Sequence, residues 1–252
     1  MGIINKDLLR FYGWSDEPTI EECAKKAYMD LCRTMKYYSI EDEDDRNKRI
    51  NAYKDEIYKC MSEEINQLEN SIEEEKFDEW HENTLKSIMD ISNNFKQNGN
   101  SKIVSAFYYG QSQKWLNMTL KNMLIYEMFC DDAKWIKEKG KVATKMIEQL
   151  HVPVDSIIID AAAKMFEDKI KIPKLYDNNT ACKDRKYGKY GKSSAQPWSR
   201  WDKKDYIKFQ ESLRQIFKKK NDLENFSCPI EWELRYWPKY RDEISNTAKK
   251  NI

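Results

Sequence analysis

Residues 19–37 read Thr19-Ile20-Glu21-Glu22-Cys23-Ala24-Lys25-Lys26-Ala27-Tyr28-Met29-Asp30-Leu31-Cys32-Arg33-Thr34-Met35-Lys36-Tyr37. A threonine three residues ahead of a glutamate forms a capping box, in which each side chain accepts a hydrogen bond from the other residue's backbone N–H. Beyond it Ile20, Cys23, Ala24, Ala27, Tyr28, Leu31 and Met35 recur at steps of three and four, which is one apolar face of a helix. The pattern predicts a helix that runs to about Tyr37. The same period continues outward. Ile50, Tyr53, Ile57, Cys60, Met61, Ile65 and Leu68 predict a helix over 42–70, and Phe77, Trp80, Leu85, Ile88, Met89 and Phe95 one over 76–95. A short helix is expected over 5–14, ending near Gly13. Further helices are expected over 141–150, 155–167 and 202–219, with a short one after Pro229-Ile230-Glu231-Trp232 and a frayed polar tail. Two apolar segments, 102–109 and 114–129, are joined around Gly110.

Bulk composition agrees. The chain has 252 residues, enough to bury a core without disulfides, and only 7 Gly and 6 Pro, few for a protein of strands and turns. The expectation is an all-α, compact multi-helix protein. It reads as a single helical domain over 1–252, divisible into two closely packed lobes, an acidic one at 1–97 and a DNA-binding or catalytic one at 98–252. Six cysteines are scattered with no Cys-x-x-Cys spacing, and the two histidines, His81 and His151, lie far apart. No metal and no cofactor are therefore expected. His81, on an acidic helix, reads as exposed. His151 reads as a hydrogen-bonded structural histidine near Asp155. No apolar run approaches the ~18–20 residues of a membrane span, and Met1 to Arg10 lacks a signal-peptide core. A cytoplasmic protein with no membrane partner is the reading.

The net charge of +1 conceals a polarity. Residues 38–90 carry 17 acidic against 7 basic side chains, whereas 179–220 carry 13 basic against 4 acidic. A near-neutral chain with one basic region can still hold a polyanion there. The acidic helix region 42–82 offers a surface for a protein partner; the plain alternative is that both segments are solvated faces.

Three stretches could carry chemistry. In Tyr108-Tyr109-Gly110-Gln111-Ser112-Gln113-Lys114-Trp115 a glycine turn enters a helix, where free N–H groups of Gly110, Gln111, Ser112 and Gln113 can hold a phosphate beside Lys114. In Val152-Pro153-Val154-Asp155-Ser156 the aspartate starts a helix, which caps it and holds its charge rigidly. The third stretch, 183–201, interleaves Arg185, Lys186, Lys189, Lys192 and Arg200 with Trp198 and Trp201, cations for phosphates among rings for bases. Tyr108 and Tyr109 are further stacking candidates.

The first two stretches together resemble the helix-hairpin-helix DNA glycosylases over residues 102–167. Gly110 matches the first glycine of that family's hairpin and Lys114 its lysine, with Ser112 at the second glycine; Pro153-Val154-Asp155-Ser156 matches the segment with the catalytic aspartate. The resemblance implies excision of a damaged or modified base flipped out of double-stranded DNA. It implies that Asp155 stabilises the oxocarbenium-like sugar and that Lys114 attacks it through a Schiff base. The competing reading is a non-catalytic factor that binds nucleic acid or protein, as in phage or host defence or its inhibition.

Overall fold

The computed structural model describes residues 13–15, 17–68, 72–96, 102–173, 197–219 and 226–249. Within them lie nine α-helices and a single two-stranded antiparallel ribbon, an all-α architecture. No helix among them is long and apolar enough to cross a membrane. The chain divides into two compact units. The first is Met1–Phe107 with Gln111–Gln149, and the second is Tyr108–Gly110 with Leu150–Ile252. The expected lobe boundary at 97/98 thus falls inside the first unit, and the change of unit comes at Gln149.

In the first unit, α1 (Ile20–Leu31) opens on the capping box. Glu22 N–H donates to Thr19 Oγ1 at 3.2 Å, and Thr19 N–H donates to Glu22 Oε2 at 2.9 Å. The helix stops earlier than its apolar period suggests. A 3₁₀ turn at Cys32–Thr34 follows, and Lys36–Tyr37 (β1) pairs with Val104–Ala106 (β2), Lys36 opposite Ala106. The aromatic and branched residues at 34–38 favour extended backbone once a partner strand exists. α2 (Glu43–Gln67) and α3 (Glu74–Asn94) follow the expected spans closely. Asp42 caps α2 by accepting from the N–H groups of Asp44 and Asp45.

The next helix, α4 (Tyr109–Phe129), starts before the expected 114 and is buried on nearly every side, as a helix without a continuous polar face must be. Its Trp115 organises the first unit's core. The ring meets Tyr28, Tyr53 and Tyr58 at 5.3–6.3 Å between centroids, and its indole N–H donates to Ala24 O at 3.0 Å. Leu31, Ile57 and Met61 are fully buried in the same unit, each contributing about 1.5–3 kcal/mol. Of the helix expected over 141–150 only the four-residue α6 (Val142–Lys145) forms, and before it, ahead of Gly140 at φ +82°, lies a short helix that was not expected, here α5 (Lys134–Lys139).

The second unit contains α7 (Ser156–Phe166), α8 (Lys203–Lys218) and α9 (Pro229–Lys249). Phe166, Phe217 and Trp232 pack at its centre with ring centroids 5.2–6.4 Å apart. Trp232 is fully buried. α9 is far longer than the short helix expected after Pro229: it continues through Pro238, across the segment read as tail. The short helix expected over 5–14 lies largely outside the described residues.

Candidate functional site

In the first unit the residues of chemical interest lie on α4. Gln111, Ser112, Gln113 and Lys114 are all 3% exposed or less. The Gly110–Lys114 stretch therefore forms the buried first turn of a 21-residue helix, not an open loop. The Gln111 amide donates to Thr34 O at 2.9 Å and to its hydroxyl at 3.2 Å. One turn on, the Asn117 amide donates to Gln113 Oε1 at 3.1 Å, while Asn117 Oδ1 accepts from His81 Nε2 at 2.7 Å. That fixes the His81 tautomer with its proton on Nε2. The expectation of an exposed His81 is thus corrected: it is 1% exposed. Its helix turns an acidic face outward but the histidine inward, beside Phe77 at 5.9 Å. Gln113, Lys114, Asn117 and Lys121 are polar residues buried along one helix.

A second buried charge escaped sequence reasoning. Glu127, on α4, is fully buried, and its carboxylate accepts three N–H bonds. Trp135 Nε1 donates to Oε1 at 2.9 Å, Ala143 N to Oε1 at 3.1 Å and Thr144 N to Oε2 at 2.7 Å. The signal was a lone acid inside the apolar run Leu124-Ile125-Tyr126-Glu127-Met128-Phe129. A carboxylate there must be paired if it is buried.

In the second unit Asp155 caps α7. Its Oδ1 accepts from Ile158 N–H at 2.9 Å, and its Oδ2 accepts from the Trp237 indole N–H at 3.1 Å. The residue stays half-exposed. Trp237 therefore helps to orient the carboxylate. Asp160 on the same helix has its carboxyl raised above the ordinary range, first by burial and second by the charge of Asp155.

Nearby in the chain, His151 Nδ1 and the Tyr206 hydroxyl lie 2.6 Å apart, both buried, and Tyr206 packs on Tyr109 at 5.6 Å. Gln210 pairs with both backbone groups of Val152, accepting at 3.1 Å and donating at 2.7 Å. These contacts fix the strand-like segment that leads into Asp155.

The structure brings Gly110 against the third sequence stretch. Gly110 N–H donates to Trp201 O at 3.0 Å, and a Cβ at Gly110 would sit 1.9 Å from Trp198 O. Of the stacking candidates, Tyr108 is exposed and Trp198 half-exposed, whereas Tyr109 is buried and Trp201 packs on Phe209 at 5.4 Å. Arg200 is half-exposed in the 3₁₀ turn Trp198–Arg200. Arg185, Lys186, Lys189 and Lys192 lie outside the described residues. Lys114 belongs to the first unit and Asp155 to the second. No group of His, Cys, Asp and Glu able to hold a metal ion occurs among the described residues. Set against family models, curated proteins and solved structures, the chain matches none.

Proposed function

We propose that the chain acts on DNA as an N-glycosidase that excises a damaged or modified base, with Asp155 as the fixed carboxylate. The supporting observation is Asp155 itself: half-exposed, at a helix N-terminus, with its oxygens accepting from the Ile158 and Trp237 N–H groups. A carboxylate so oriented can stabilise the positive charge that develops on the sugar as the base leaves with the electrons of the glycosidic bond. Water then adds to the sugar carbon and gives up a proton. The departing base takes a proton from solvent. Lys114, buried on α4 in the first unit, is given no part in this step.

The test is an abasic-site assay on duplexes bearing a panel of damaged and modified bases. Asp155→Asn is expected to abolish base release, and Trp237→Phe to lower it about tenfold through lost orientation. Absence of release from every duplex would overturn the proposal. A second reading, a non-catalytic binding factor, is favoured by the exposed acids of α2, among them Glu43, Asp44, Asp45, Asp55, Glu56 and Glu63. It predicts no release and retention of a basic protein partner that α2 charge reversals abolish.

A further inference from the structure

We propose that the hollow at the junction of α2 and α3 binds a free α-amino acid with an aromatic side chain, held as its zwitterion. The inference is independent of the glycosidase reading: every residue it uses belongs to the first unit, and Asp155 to the second. The hollow measures about 640 Å³, within the ~300–1,000 Å³ of small-ligand sites. Leu68, Ile72 and Trp80 give it an apolar wall, Gln67 and Gln149 add amides, and Glu73 and Lys76 bring one charge of each sign. The Trp80 indole N–H donates to Glu64 O at 3.2 Å, and its ring meets Phe77 at 5.5 Å. The half-exposed ring is thus fixed where it lines the hollow.

The two charges decide the occupant. Glu73 precedes the first turn of α3 without capping it through its side chain. Lys76 follows three residues on, one turn before Trp80 and on the same helix face. Both are exposed, and among the described residues neither side chain has a hydrogen-bond or ion-pair partner, although they line one hollow. A singly charged ligand would satisfy one of them and set like charge against the other. Polyanions are further disfavoured by Glu64, Glu74, Glu75 and Glu79 on the adjoining turns. A zwitterion satisfies both, its carboxylate accepting from the Lys76 ammonium and its own ammonium donating to the Glu73 carboxylate. In a free amino acid the two groups sit on a single carbon, which suits an acid and a base three residues apart better than the wide span between the ends of a peptide. Its ring then lies against Trp80 and Leu68, where an aromatic pair adds to the burial of apolar surface.

The experiment is isothermal titration calorimetry of the full chain with L-phenylalanine. Three analogues are run beside it: phenethylamine lacks the carboxylate, 3-phenylpropionate lacks the ammonium, and L-alanine lacks the ring. Phenylalanine should bind with a Kd of about 0.1–1 mM, the range for so small a ligand. Each analogue should bind about tenfold more weakly, having lost a charge-assisted hydrogen bond or the ring contact. Glu73→Gln and Lys76→Gln should each weaken phenylalanine by the same factor, while Glu79→Gln, exposed on the same helix, leaves it unchanged. Matching circular dichroism melts exclude unfolding as the cause. No saturable heat from phenylalanine, equal binding of phenethylamine or phenylpropionate, or wild-type affinity in the Glu73 and Lys76 variants would each overturn the proposal. An equal loss in Glu79→Gln would overturn it too. No DNA enters this titration and no amino acid enters the base-release assay, so either reading fails without touching the other.

Discussion

At Gly110 two effects of opposite sign compete. Replacing a helical glycine with alanine ordinarily gains about 1 kcal/mol of helix propensity. Here the new Cβ would lie 1.9 Å from Trp198 O and 2.9 Å from its carbonyl carbon. That backbone cannot easily withdraw, because Trp201 N–H donates to Trp198 O while Trp201 O accepts from Gly110 N–H. Overpacking costs about 1–3 kcal/mol even against side chains, so the clash wins. Gly110→Ala is expected to lower the urea midpoint by the equivalent of about 2 kcal/mol; a midpoint equal to or above wild type would show that the two segments part freely. The sequence marked Gly110 as special, but as a loop glycine facing a ligand. Its partner, a tryptophan carbonyl some 90 residues away, has no local signature. Asp155 was the opposite case. A cap is written in the four residues around it, so its bond to Ile158 N–H was legible, whereas its bond to Trp237 was not.

Among the elements, α6 shows best what packing adds to propensity. Four residues cannot sustain a helix alone, since nucleation costs more than one turn returns. Glu127 supplies the difference from α4, its carboxylate accepting the N–H groups of Ala143 and Thr144 at the start of that turn and the Trp135 indole beside it. Charge-assisted bonds in a dry site are about twice as strong as neutral ones, and an amide would point two donors at donors. Glu127→Gln is expected to destabilise the chain by about 2–4 kcal/mol in thermal unfolding and to loosen the segment 134–145 in amide exchange. Wild-type protection there would show that α5 and α6 stand without the carboxylate. The long helices α2, α3, α7 and α8 were legible because period and caps agree along their whole length. The ends of α1 and α9 were not: a strand partner stops the first, and buried Trp232 and Tyr240 carry the second past Pro238.

For the whole molecule, the division into units cuts across helix α4. Its first residues, Tyr109 and Gly110, belong with Trp198, Trp201 and Tyr206, while Gln111 onward belongs to the first unit. Residues 150–252 made alone would lack the Tyr109 ring against Tyr206 and the hydrogen bond to Trp201. Burial of a ring and one aromatic pair together are worth about 2–4 kcal/mol. The fragment is expected to unfold at lower urea by tryptophan fluorescence than the full chain; an equal midpoint would show that the first turn of α4 is dispensable to the second unit. The sequence by itself determined the helical class, the spans of the regular helices, the caps at Thr19 and Asp155, and the separation of acidic from basic regions. All of these follow from periodicities and contacts within about four residues. Tertiary structure alone decided that Lys114, His81 and Glu127 are buried, that Trp237 holds Asp155, and that the unit boundary falls at Gln149. Those outcomes depend on which distant segment covers a helix face, and pairings across tens of residues leave no period in the chain to read.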